Sequence, residues 1–462
     1  MANLIRWQHE LKSSLLVNAT LCDALAPEGL EASCRQAGHT WRESFWSPTL
    51  TVVTFLLQVL DGAKTLRAAV ATLLVHLAAR GDHALPSADP SAYCQARQRL
   101  PGQVFAQWLT QVAQRMKALP QRDQHWRGRR VWIVDGSTAS MPDTPELQRA
   151  FPQPAGQQPG CGFPVLRFVA LFCWATGAIV EVMVSALSIH ELALFRRLWH
   201  HFEPGDVVLD DRAYGSYVDL AGLRQRGVFS VSRLHQARKL QLRQARRLGP
   251  DDWQVTWLRP EQWLASCGVS REAFAQLPET LDVRIVRVTH IPRGFRSRPI
   301  WIATTLLDPV ATPADEIRAL YRDRWTAELN FRSLKTHLGM DILRGRSVDV
   351  VGKELLMHLI AYNLIRLLMW QAAVEHGHDL HRLSFTGTLQ RWRALFPLLI
   401  EHACLTDTLR LIHLTLGWIA ADRLPDRPDR LEPRRRKRRP KQYNVLQHPR
   451  GWYHQRYDSR HR

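Results

Sequence analysis

The chain has 462 residues, too many for one ordinary core, and at roughly 150 residues per domain this length implies about three folded units. Hydrophobic content of 45% is that of a globular protein, while a formal net charge of +20 and a pI near 10.4 call for a polyanionic partner. Seven cysteines are scattered without a CxxC pair, which argues against a disulfide scaffold and against a cysteine-built zinc site.

Residues 1–125 read as a helical N-terminal domain. No apolar leader opens the chain, and the longest greasy run, 168–180, is too short to span a bilayer, so a soluble, cytoplasmic protein is expected, with no membrane partner. Ser47 and Pro48 suit the cap and first turn of a helix over 49–60. A second helix over 65–80 stops at Gly81. A short basic helix, capped by Asp89 or Ser91, carries Gln95, Arg97, Gln98 and Arg99, and a last one covers 103–119. Two consecutive helices with the second short and basic resemble a helix-turn-helix DNA reader; a solvated basic helix has the same spacing.

From 126 the pattern changes to α/β. VWIVD, ending at Asp135, is a short apolar run of strand formers, as in a strand buried on both faces. A Pro/Gly-rich loop follows over 141–164, and VLRFVALFCWA and AIVEVMVSAL flank Thr176-Gly177 as a hairpin. Residues 190–201 are helical, VVLDD at 207–211 is a second buried strand, and 218–225 is a helix. This order, over 126–227, is that of a ribonuclease-H-like core, although other α/β folds share it. Residues 228–305 form a mostly β insertion whose last strands can rejoin the sheet. A long helix over 313–338 lies in the segment 306–345 that completes the core, and 346–422 is a helical C-terminal region. The tail 423–462 holds 14 Lys/Arg against 4 Asp/Glu, with PRRRKRRPK at its centre, and reads as disordered until it meets a partner.

The strongest local signal is YRDRWTAELNFRSLKTHLG, from Tyr321. At helical spacing Tyr321, Arg324, Glu328 and Lys335 fall within roughly a 60° arc. Leu320, Ala327, Phe331, Leu334 and Leu338 form the neighbouring apolar face that packs on the sheet. Ordinary surface ion pairs produce similar spacing, so the helix gains meaning from what it can be paired with. Asp135 and Asp211 each end a buried strand. If those strands lie side by side and parallel, their ends bring two carboxylates together, where Glu328 can join them. Three such carboxylates repel unless hard divalent cations, Mg²⁺ or Mn²⁺, sit between them. Two ions roughly 3.5–4 Å apart support phosphoryl transfer by in-line displacement.

Tyr321, Arg324, Glu328 and Lys335 reproduce a Y-x2-R-x3-E-x6-K signature. With VDGST at Asp135, LDDRAYGSY at Asp211, MPDTPELQRAFPQP, GQQPGCGFP and SAYCQARQRLP, the chain resembles the DDE transposases of bacterial insertion sequences, specifically the insertion-sequence-four family. The likeness runs from about 85 to 345. It implies a ribonuclease-H-like core with a β-rich insertion, and metal-dependent cleavage and strand transfer on double-stranded DNA, with two Mg²⁺ (or Mn²⁺) ions. By position, Asp135, Asp211 and Glu328 are the metal-binding carboxylates; Asp211 is preferred to Asp210 because the family's aspartate precedes an arginine, here Arg212. Tyr321, Arg324, Lys335 and Arg212 are the phosphate contacts, and Trp325 is a candidate to stack on a displaced base, against a core role. His190-Glu191 also matches a family position, with no role attached. The implied partners are terminal inverted repeats, target DNA and a second copy in a homodimer, within the bacterial nucleoid. A catalytically dead, DNA-binding descendant and a hydrolysis-only nuclease are the alternatives.

Overall fold

A computed structural model describes residues 27–42, 44–62, 64–79, 81, 85–120, 124–235, 238, 240–264, 268–288, 300–401, 405–425, 443 and 445–458. Cys22, Cys267, Cys404 and the basic run 433–441 lie outside them; the four cysteines described, Cys34, Cys94, Cys161 and Cys173, are free thiols. The chain divides into two compact units.

The first unit is helical and takes residues 1–119, 141–150 and 332–426. It holds α1 (Pro27–Gln36), α2 (Pro48–Leu60), α3 (Leu66–Ala79), α4 (Ser91–Arg99), α5 (Gly102–Ala118) and α6 (Pro145–Ala150). The Ser47 hydroxyl accepts from Leu50 N at 3.3 Å, the N-cap its sequence predicts. In α4 only part of the expected basic face looks outward. Arg97 is buried, donates to Gln58 Oε1 at 3.2 Å and lies over the Phe55 ring at 4.8 Å, whereas Gln95, Gln98 and Arg99 are exposed. A helix of 28 residues, Val348–Glu375 (here α12), is long and apolar enough to cross a membrane, a feature the sequence reading passed over. Most of its apolar length is buried against other helices of this unit, as in the central helix of a packed core.

The second unit takes residues 120–140, 151–331 and 427–462. Its strands are β1 (Val131–Ser140), β2 (Val165–Cys173), β3 (Ile179–Ala186), β4 (Val207–Asp210), β5 (Phe229–Arg233), β6 (Arg246–Gly249), β7 (Asp252–Leu258), β8 (Thr280–Val288) and β9 (Ile300–Thr304). They form one nine-stranded sheet in the order β3-β2-β1-β4-β5-β9-β8-β7-β6. β1 pairs parallel with β4, and β4 parallel with β5, while β2 and β3 form the predicted hairpin, whose turn places Gly177 at φ +66°. This mixed α/β core fits a ribonuclease-H-like fold. Within the expected insertion 228–305, Phe229–Arg233 pairs parallel with β4 and antiparallel with β9, and β6–β9 extend the same sheet. A periodic apolar run does not reveal its pairing partner, so the sequence grouped this strand with its neighbours.

The helices of this unit are α7 (Glu191–Arg197), α8 (Tyr217–Gln225), α9 (Arg271–Ala275), α10 (Ala314–Asp323) and α11 (Trp325–Arg332). The single long helix expected over 313–338 is therefore three pieces: α10, α11 and a π turn, Ser333–His337. Its packing face is as predicted, with Leu320, Ala327 and Phe331 buried. Phe331 meets Phe168 and Phe172 edge-on at 5.6 and 5.2 Å, which seats α11 on β2. The tail, expected to lack structure, carries a helix over Arg450–Asp458. Arg450 Nη2 donates to Gly162 O at 2.6 Å and Tyr443 stacks on Phe163 at 4.5 Å, so this stretch is tied to the Pro/Gly-rich loop.

Candidate active site

Asp135 does not end its strand. The ladder of β1 with β4 stops at Ile133, but the ladder with β2 continues to Ser140, pairing Asp135 with Ala170. Losing a neighbour on one side exposes the strand where its apolar run stops, and Asp135 stands at that divergence. β4 ends at Asp210, and Asp211 is the first residue past it. Two parallel strands thus deliver Asp135 and Asp211 to one edge, as their sequence implied.

Arg324 occupies the junction of α10 and α11. Its Nη2 donates to Glu328 Oε1 at 3.1 Å, and its Nη1 lies 4.0 Å from Asp135 Oδ2, so one guanidinium links two of the three acids. Asp135 Oδ1 also accepts from Gly136 N at 2.9 Å. Burial pushes Asp135 up to about 6; Arg324 and the Gly136 amide pull it down, and the nearby charges of Asp211 and Glu328 push it up. The three predicted carboxylates therefore share one electrostatic neighbourhood. Tyr321 is buried beside them, its phenol held above its ordinary range by burial and by the charge of Asp211, with Arg324 opposing.

Two atoms in this cluster are buried with no hydrogen-bond partner: Asp211 Oδ1 and Tyr321 Oη. A buried carboxylate oxygen without a donor is costly, and a hard cation is the ligand that such an oxygen fits. Asp210 behaves differently. It is 1% exposed, burial holds it well above the carboxylate range, and the strand alternation sends it to the face of Val208 and Trp132, opposite Asp211.

The remaining predicted residues are less tightly gathered. Arg212 is exposed on the turn after β4, and Trp325 is 46% exposed at the start of α11. Lys335 stands on the π turn, in the helical unit. Behind Asp135 lies a group to which the sequence gave no role. The Glu191 carboxylate rests against Gly136, accepts from Tyr214 Oη at 3.3 Å and lies 3.6 Å from Arg167 Nε. Its only signal was the His190-Glu191 pair; nothing in the spacing shows that α7 packs behind β1.

A sheet whose parallel strands deliver carboxylates to a helix-borne glutamate defines the class: an α/β enzyme of phosphoryl transfer on nucleic acid. The profile of the Transposase DDE domain matches residues 126–364, more than half of the chain, and the protein belongs to the DDE transposases, in the insertion-sequence-four family. It is 27% identical over 364 residues to the transposase InsG for insertion sequence element IS4 of Escherichia coli (strain K12), covering 78% of each chain. A putative transposase InsZ of the same organism is 26% identical over 155 residues, 33% of this chain and 52% of that one. Among solved structures, a piggyBac transposase synaptic complex with hairpin DNA matches at a TM-score of 0.43 and 8% identity, covering 88% of this chain and 85% of that one. As an insertion-sequence transposase the protein catalyses DNA cleavage and strand transfer, chemistry for which the family uses divalent metal ions.

Proposed function

We propose that Asp135, Asp211 and Glu328 hold two Mg²⁺ (or Mn²⁺) ions and that the reaction runs at the ends of the protein's own mobile element. The observation that carries this reading is the buried, unpartnered Oδ1 of Asp211, in a cluster whose other charges, Asp211 and Glu328, raise the proton affinity of Asp135. Bound there, the ions would activate the attacking oxygen and stabilise the leaving one. The protein's own groups do the rest. Arg324, now joined to Glu328 and Asp135, is placed to turn its fork toward a phosphate once cations neutralise those acids. Tyr321 offers a buried hydroxyl to a phosphate oxygen, while Arg212 and Lys335 supply further positive charge. Exposed Trp325 is the candidate for stacking on a displaced base.

Binding of the terminal repeats falls to the N-terminal helices. A cleft of about 560 Å³, lined among others by Trp41, Trp46, Arg42 and Arg99, adjoins α4 and offers the rings and cations that nucleic acid takes. Two element ends are joined in one reaction, which calls for a homodimer in the DNA complex. The test is incubation of a labelled element end and a target plasmid with and without Mg²⁺. Metal-dependent joined products support the reading, and fragments alone would reduce it to hydrolysis. Glu328→Gln should abolish both products and leave end binding intact; activity retained in that variant overturns the assignment.

A further inference from the structure

Glu181, His200 and His201 gather on the other side of the hairpin from β1, at the edge strand β3. None of them belongs to the carboxylate cluster. We propose that they form a second metal site, for a borderline transition ion such as Zn²⁺, which fastens the turn after α7 to the edge of the sheet.

The geometry comes from three local features. A register shift in the β2–β3 ladder, where Leu171 faces Glu181 but Phe172 faces Ile179, sets a bulge beside Glu181 and re-aims its side chain. The two histidines stand on the single 3-10 turn Trp199–His201, which buried Trp199 and Phe202 hold in place. One Glu181 oxygen, Oε2, lies 3.2 Å from His200 Nε2 and in closer contact with His201 Nε2. One ligand atom from each residue falls within 4.8 Å of the others.

Besides an ion pair with a protonated ring, the cluster has a second way to satisfy its atoms. His200 Nδ1 is 2.8 Å from the Arg197 carbonyl, a contact that only an Nδ1–H makes favourably. In the neutral ring the Nε2 lone pair then points at a carboxylate oxygen, two acceptors face to face. A cation between them relieves this. In a tetrahedral site with bonds of about 2.0–2.1 Å, neighbouring ligand atoms lie roughly 3.3 Å apart, close to the 3.2 Å between Glu181 Oε2 and His200 Nε2. The tighter His201 contact has to open to admit the ion. Two imidazoles and one carboxylate select zinc-like ions over Mg²⁺, and the Arg197 carbonyl is the outer partner that metal-bound imidazoles regularly use. His200 is 59% exposed, which leaves the fourth position to water. The same α7 starts with Glu191 behind the catalytic strand, so the ion would set the far end of a helix that braces Gly136.

The test is titration of the metal-stripped, full-length protein with Co²⁺, followed by Zn²⁺ displacement. One equivalent per chain with visible bands of tetrahedral strength is expected, over and above any weakly absorbing octahedral ions taken by the three carboxylates. His200→Ala and Glu181→Gln should each weaken binding beyond the roughly 10–100-fold that a merely supporting residue costs. His200 is exposed, so its variant keeps the fold, and Zn²⁺ should raise the melting temperature of the parent but not of that variant. Tetrahedral bands equally strong in both variants, or octahedral bands alone in the parent, would each overturn the site.

Discussion

The carboxylate of Glu191 occupies the space that a side chain at Gly136 would need: a Cβ built there lies 2.9 Å from Glu191 Cδ. Asp135 and Gly136 are consecutive on β1 and point to opposite faces, so Glu191 backs the catalytic strand from behind. Gly136→Ala must push the carboxylate aside and break its contacts with Tyr214 and Arg167. Because the clash is with the free end of a side chain, stability should fall by no more than about 1–3 kcal/mol. Strand cleavage should fall much further, and Glu191→Ala in the same chain should recover part of it. Additive effects in that double-mutant cycle would remove Glu191 from the site.

Much of this site was legible because its residues lie where strong local signals end. VWIV and VVLD are short apolar runs, and the acid after each is easy to see; the four-residue helix signature did the rest. What pairing decides was not legible. Phe229–Arg233 has the composition of any inner strand, and only the fold shows its parallel ladder with β4. The break at Arg324 was hidden as well, since 100° spacing continues through it without a glycine or proline. The backbone of Arg324 stays helical there, so it pairs with Glu328 four residues on and also reaches Asp135. The burial of Arg97 escaped for the same reason: a basic helix shows its charge in sequence but not which side faces Gln58.

Asp135 makes stability depend on pH in an unusual direction. Its folded value of about 6 lies above the ordinary 3.8, so between those values the unfolded chain gives up its proton first. The metal-free protein therefore loses stability as pH rises from about 4 to about 6, by about 3 kcal/mol from this group, and the loss then levels off. Asp135→Asn removes this component. The difference between parent and variant in urea midpoints, taken at pH 4.5 and pH 7, checks it: the variant should be the more stable only at the higher pH. A constant difference would show that Asp135 is not held in its protonated form.

Arg324 competes with cations for the carboxylates it now touches. Removing it leaves Asp135 and Glu328 without their positive partner, so divalent-ion affinity in Arg324→Ala should be no weaker than in the parent. Cleavage should nevertheless drop by about 100-fold, the scale of losing one donor to a developing charge. Calorimetry with Mn²⁺, set beside the rate of end cleavage, separates the two effects. Metal binding and cleavage lost in parallel would mean that the arginine only organises the acids.

The insertion depends on one buried ion pair. Arg284 is fully buried on β8; its Nε donates to Asp252 Oδ1 at 2.8 Å, its Nη2 reaches Asp252 Oδ2, and its Nη1 donates to Thr312 O at 2.7 Å. The bonds join β7, β8 and the loop before α10, the helix that leads to Arg324 and Glu328. Arg284→Met strands a buried carboxylate and should cost about 3–5 kcal/mol, whereas Arg284→Met with Asp252→Leu removes both charges and should recover most of it. Because β8 and β9 extend the core sheet, the single variant should also open the insertion to protease before the rest of the chain unfolds. If the double variant is no more stable than the single one, the network of bonds to Thr312, rather than the charge left on Asp252, is what holds β8 to the loop before α10.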